Sequence, residues 1–213
     1  MKKTWLLFPL LLSLAAPALA DKDYFFEGIN YEPVAAQATD VKPGQVEVIE
    51  FYWYGCPVCF ALEPYVEGWE KQLPKNVIFK RIPGAMPDSE FYVDAQATAV
   101  AEVLGIGEKI REPLFNAIHS DGNLALRTDK SALRDFFGKF GVKAADFDAT
   151  WDSAAVKAKL AEYQQIAGRY GIDRVPTLIV AGKWKTGAGY QMKPADVMRC
   201  VQYLVDKESA PAK

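Results

Sequence analysis

The stretch Val46-Glu47-Val48-Ile49-Glu50-Phe51-Tyr52-Trp53-Tyr54-Gly55-Cys56-Pro57-Val58-Cys59 decides the fold. Residues 46–53 are apolar on both faces, the pattern of a central strand covered on each side. A tight turn follows, and a helix is expected from Cys56 to about Leu73, with Pro57 in its first turn, where a missing N–H costs little. Cys56 then sits at a helix N-terminus, which stabilises thiolate, the reactive form of cysteine. Two cysteines three apart across one helical turn can close a small ring and reopen it without moving the fold. Glu50 falls on the same side of the strand as Val46, Val48 and Tyr52. An acid on a doubly covered strand is costly unless it has a task or a partner.

Outward from this stretch the chain changes period. Upstream, Phe25 to Tyr31 reads as a short strand leading to a loop through Pro33 and Lys42-Pro43-Gly44. Downstream, Pro64 is expected to kink the first helix, and Val77 to Ile82 forms the next strand. Helices are expected over 88–104, 108–118, 130–140, 143–149 and 152–169, with Gly105, Gly107, Asp121-Gly122 and Gly141 at the breaks. Thr128 and Asp129 can cap the helix that holds Leu133, Phe136, Phe137 and Phe140. Strands return at Thr177–Val180 and Lys183–Thr186, joined by Ala181-Gly182 as a two-residue hairpin. Pro194 opens a last helix to about Asp206.

The N-terminus reads as a leader. Lys2 and Lys3 precede an apolar stretch, Trp5 to Ala16, of about a dozen residues, too short to span a bilayer comfortably. Ala18-Leu19-Ala20 is a small-residue cleavage signal, so the mature chain is expected to begin at Asp21 and to work outside the cytoplasm; an uncleaved membrane anchor is the alternative. Losing Lys2 and Lys3 moves the formal net charge from −2 to −4. Half of the residues are apolar, enough for a proper core without disulfide staples. No basic stripe points to nucleic acid. The three cysteines are too few for a structural disulfide framework. Cys200 lies in an amphipathic helix and reads as a small buried apolar residue, an intermolecular disulfide or regulatory thiol being the alternative. Zinc is disfavoured by a single CxxC and a single histidine, His119, which reads as incidental.

The order is strand, strand-helix, strand, helical block, hairpin, helix. That is the thioredoxin arrangement with an insertion, and CxxC at a strand-to-helix turn is its redox motif. The fold class expected is α/β: a discontinuous thioredoxin unit of residues 21–86 and 169–213, with an all-helical insertion at 87–168. Arg174-Val175-Pro176-Thr177 adds a second mark. Pro176 alone reads equally as an ordinary trans proline at a strand start. With CxxC upstream and a hairpin after it, the cis reading is favoured, leaving the Val175 backbone free to pair with an extended client strand.

Taken together, these residues resemble the DsbA family of periplasmic thiol:disulfide oxidoreductases over nearly the whole mature chain. The resemblance rests on Glu50-Phe51 before Cys56-Pro57-Val58-Cys59, Glu63 after it, Pro113-Leu114-Phe115, Phe147-Asp148-Ala149-Thr150-Trp151, Val175-Pro176 and Gly182-Lys183-Trp184. It implies a Cys56–Cys59 disulfide donated through a mixed disulfide at exposed Cys56 to reduced, newly exported proteins. It implies re-oxidation by a DsbB-type, quinone-linked membrane oxidase, and neither cofactor nor metal; the chain is expected to act as a monomer. Glu50 resembles the family's buried acid, which helps move the Cys59 proton. Glu63 resembles a nearby helix acid, a solvated surface role being the alternative. The family usually has histidine where this chain has Val58, so a less acidic Cys56 and a less oxidising disulfide are expected. Two other functions stay open: a reductase or isomerase, and a non-catalytic peptide-binding chaperone. Known isomerases of this fold carry an N-terminal dimerisation domain, for which residues 21–45 leave no room, and the intact CxxC with Val175-Pro176 speaks against the chaperone.

Overall fold

A computed structural model describes residues 25–85 and 90–209. The expected leader, its cleavage point and the 86–87 boundary lie outside the described residues. The elements are β1 Glu32–Pro33, β2 Val46–Tyr52, α1 Pro57–Glu70, β3 Val77–Pro83, α2 Glu90–Val103, α3 Gly107–His119, α4 Lys130–Gly138, α5 Ala144–Trp151, α6 Ala154–Arg169, β4 Thr177–Val180, β5 Trp184–Gly187 and α7 Pro194–Ser209.

The sheet runs β1-β5-β4-β2-β3, with β2 parallel to β3 and antiparallel to β4. All seven residues of β2 are buried, as its apolar character on both faces requires. The period of two sorts its side chains. Val46 and Val48 join Leu178, Val180 and the inner faces of α1 and α7, represented by Leu62, Val66, Val201 and Leu204. Ile49 and Phe51 face the other way, into a core continuous with the helices between α2 and α6, including Phe115, Phe137 and Phe147. Tyr52, at the strand's end, turns to Tyr54 and Phe115, with ring centroids 5.2 and 6.1 Å away.

The caps explain where the helices begin. Cys56 is the N-cap of α1 and Pro57 its first residue, and α1 runs without a break through Pro64 to Glu70. Asp129, rather than Thr128, caps α4 by accepting from the N–H groups of Ser131 (2.7 Å) and Ala132 (3.3 Å). Ser153 caps α6, its hydroxyl accepting from the N–H of Val156 at 3.2 Å.

Two expectations are corrected, and one element comes in addition. Residues 25–31 form a turn in place of a strand. Gly28 takes φ 78°, and the Asn30 side chain accepts the Phe26 N–H at 3.0 Å, so local bonds consume groups a strand would offer. The hairpin loop is one residue longer than read. Ala181 and Gly182 both have positive φ, and Val180 pairs with Trp184, so β5 starts one residue late. A short 3₁₀ helix at Leu124–Arg127, unseen in the pattern, is anchored by buried Leu126; four residues are too few to display a helical period.

Candidate active site

β2 ends under the turn Trp53-Tyr54-Gly55-Cys56, which is closed by the Cys56 N–H donating to the Trp53 carbonyl at 3.0 Å. A Cβ on Gly55 would fall 2.3 Å from the Trp53 ring, so the turn lies flat on the indole and only glycine fits. Cys56 leaves it with φ −86° and ψ 116°, the extended geometry of an N-cap, and its Sγ accepts the Cys59 N–H at 3.4 Å. Interaction with the Cys59 thiol, then amide donation from Cys59 and Val58, pulls the Cys56 thiol down to about 6 against the opposing effect of burial. Cys59 moves the other way: burial, then its contact with Cys56, pushes its thiol up. The helix start thus separates two chemically identical groups into a thiolate former and a proton holder.

Cys56 was expected to be exposed. The structure leaves it 7% exposed against 1% for Cys59, because the turn and the segment around Val175 close over it. The asymmetry has the expected direction, but Cys56 is a buried residue too. The Val175–Pro176 peptide is cis. Cys56 Sγ lies 3.7 Å from the Val175 carbonyl, within reach of a weak thiol hydrogen bond. Val58 is 51% exposed. With Leu62, Pro176, Met192 and Val197 it lines an open apolar depression of about 230 Å³ beside the dithiol.

The family model of the DSBA-like thioredoxin domain matches residues 47–198. The chain belongs to this family. A thiol:disulfide interchange protein DsbA from Pseudomonas syringae pv. tomato is 38% identical over 207 residues, covering 97% of this chain and 92% of that one. One from Burkholderia cepacia is 37% identical and covers 96% of each. The crystal structure of Pseudomonas aeruginosa DsbA superposes with a TM-score of 0.77 at 30% identity, covering 86% of this chain and 94% of the other. The fold is therefore the thioredoxin fold with inserted helices, as in DsbA, and the chain is a protein-disulfide oxidoreductase.

Around the DsbA-like dithiol the structure places charges that need explanation. Glu50 is 1% exposed, with Oε2 3.3 Å from Arg81 Nε. Burial raises its carboxyl above the usual range, against the pull of Arg81 and Arg111. Arg81 in turn reaches Glu70 at 2.7 Å. Glu63 does not take the solvated alternative: it is 6% exposed and ion-paired with Arg111 of α3, which also faces Glu108 at 3.6 Å. A buried carboxylate needs such a partner.

His119 is not incidental. Its Nε2 lies 2.7 Å from the Tyr54 carbonyl, and its ring stacks on Phe60 at 4.8 Å and 12°. Asp94 of α2, buried, accepts the Tyr54 N–H at 3.4 Å. Sequence reading missed both. The signals were an aspartate in a helix of small residues, Asp94-Ala95-Gln96-Ala97, and a histidine one helical turn after Phe115. Cys200 is fully buried, as expected, and burial pushes its thiol up to about 11.

Proposed function

We propose that this DsbA-family chain donates a Cys56–Cys59 disulfide to reduced proteins newly exported to the periplasm. The observation that carries the reading is Cys56 Sγ at the α1 N-terminus, accepting the Cys59 N–H, with its thiol lowered to about 6. A client thiolate attacks Cys56 Sγ; the Cys56–Cys59 bond breaks, and Cys59 leaves with the electron pair and takes a proton. A second client thiolate attacks the client sulfur of the mixed disulfide, and Cys56 leaves as thiolate. The client loses two electrons and, in forming its two thiolates, two protons; the chain gains both electrons and one proton, on Cys59, while Cys56 stays thiolate and the other proton goes to solvent. A stabilised leaving thiolate favours this last step and makes the protein oxidising, the behaviour for which the family is a standard example.

The other site residues follow from position. The Val175 backbone beside Pro176 offers a strand edge to an extended client, and Val58 with the depression next to it offers apolar contact. Glu50, ion-paired with Arg81, is read as the acid that exchanges a proton with Cys59, and Glu63 as support through Arg111. We read residues 21–86 and 169–213 as the thioredoxin unit, 87–168 as the insertion, and 1–20 as a leader cleaved after Ala20. A DsbB-type, quinone-linked membrane oxidase restores the disulfide, and the chain works as a monomer.

The test is oxidation of a reduced, unfolded protein by the disulfide form, followed by free-thiol titration. The parent is expected to oxidise its client stoichiometrically, and Cys56→Ala not at all. Equal rates for the two would overturn the reading. A glutathione equilibrium as reducing as that of a cytosolic thioredoxin would turn the donor into a reductase.

A further inference from the structure

In the turn that presents Cys56, the Trp53 carbonyl and the Cys56 N–H satisfy each other. Tyr54, the first central residue of that turn, keeps an N–H and a carbonyl that the turn itself leaves unpaired. The residue is only 3% exposed, so water cannot serve them, and a buried unpaired backbone group is costly. Two side chains of the helical block meet this need. Asp94 Oδ2 of α2 accepts the N–H at 3.4 Å, and His119 Nε2, the last residue of α3, lies 2.7 Å from the carbonyl. A carbonyl only accepts, so Nε2 carries the hydrogen and fixes the imidazole tautomer. The same imidazole lies flat on Phe60, the residue after Cys59. Its ring thus touches the chain on both sides of the Cys56–Cys59 segment, at Tyr54 and at Phe60.

We infer that Asp94 and His119 are positioning residues for the dithiol. They grip the Tyr54 backbone from both sides and set the direction from which Cys56 Sγ meets the α1 amides. The chain of contacts is short: Tyr54 to Gly55, Gly55 to Cys56, and Cys56 Sγ to the Cys59 N–H. Trp53, on which the turn lies, is itself held by the edge of Phe91 at 4.5 Å and by the Arg127 guanidinium 4.7 Å over its ring. Arg127 also places positive charge near Asp94. Charge-assisted bonding of a thiolate depends steeply on donor direction, so loosening the grip weakens the thiolate more than the fold.

The inference rests on Cys56 being the thiolate former, and the experiment reads that thiolate directly. Absorbance of the reduced chain is titrated against pH, with far-UV circular dichroism at each point. His119→Phe keeps the stack on Phe60 and removes the N–H; the Cys56 midpoint is expected to rise by about half a unit to one unit. His119→Gln restores an N–H donor and is expected to recover most of the loss. Asp94→Leu is expected to shift the midpoint in the same direction, while Asp94→Asn keeps an acceptor and titrates like the parent. The glutathione equilibrium is expected to move with the midpoint, about three- to fivefold less oxidising at pH 7 for the shifted variants. A folded His119→Phe chain whose midpoint matches the parent overturns the inference. His119 sits at the partly exposed end of α3, so this variant decides even if Asp94→Leu does not fold. A parent with no transition near 6 would instead overturn the assignment of Cys56 itself.

Discussion

The N–H of Cys59 points at Cys56 Sγ across 3.4 Å, so the residue that holds the proton also supplies a donor to the thiolate of its neighbour. With Cys56 at about 6 when folded and 9.0 ordinarily, the reduced folded chain binds fewer protons than the unfolded one between those values. Its stability therefore rises with pH across that window and is lost as pH falls through about 6. The disulfide form has no such thiol. The unfolding temperature of the reduced chain, compared with the oxidised one, is expected to climb from pH 6 toward pH 9. A difference that stays flat over that range would contradict the placement of the thiolate.

Val58 gives the second prediction. Its side chain is half exposed beside Cys56, so histidine fits there without repacking. An imidazolium at that place adds positive charge and a donor, which lowers the midpoint of Cys56 by about one unit below the parent's. Thiolate absorbance of Val58→His against the parent checks this. The same variant is expected to be the stronger oxidant of a reduced client.

Glu50 is expected to be a stability cost. Burial raises its carboxyl above 4.5, so the folded chain holds its proton more tightly than the unfolded chain does, and stability falls as pH rises from 4.5 upward. Glu50→Gln removes that slope, and Arg81 keeps Glu70 at 2.7 Å as a partner. Thermal unfolding of Glu50→Gln is expected to match the parent near pH 4 and to exceed it once pH has risen above 4.5.

Gly187 backs onto the loop that carries Pro176. Its φ is +122°, and a Cβ there would meet the Pro176 carbonyl oxygen at 2.4 Å. Gly187→Ala is expected to destabilise the chain by about 2 kcal/mol or more. Denaturant melts give the stability, and client oxidation is expected to slow further than the loss of folded chain explains.

Cys200 carries the fifth prediction. It is fully buried on α7, with the Thr186 hydroxyl 3.7 Å from its sulfur. Thiol reagents at neutral pH are expected to label Cys56 in the native reduced chain and to reach Cys200 only in denaturant. Cys200→Ala is expected to leave the Cys56 titration unmoved.

The fold was legible where a local rule sufficed. An apolar run with a CxxC at its end marked β2 and the start of α1, and glycines marked the helix breaks. What escaped depended on distant partners. Glu63 was visible as an acid after the cysteines, but its burial follows from Arg111, many residues downstream on α3. His119 and Asp94 gave no motif because their target is a backbone group of Tyr54, and backbone carries no sequence signal. The first strand failed for the opposite reason: Gly28 and Asn30 build a local turn that a smooth apolar pattern concealed.

Ile49, Phe51 and Ile82 spend one whole side of the sheet against the helices between α2 and α6. A minimal catalyst cut down to the sulfur-bearing half would expose that oily side and clump. Grafting foreign helices in their place would also need an acceptor and an N–H donor at the positions of Asp94 and His119, so exchange between relatives is constrained by chemistry as well as by shape.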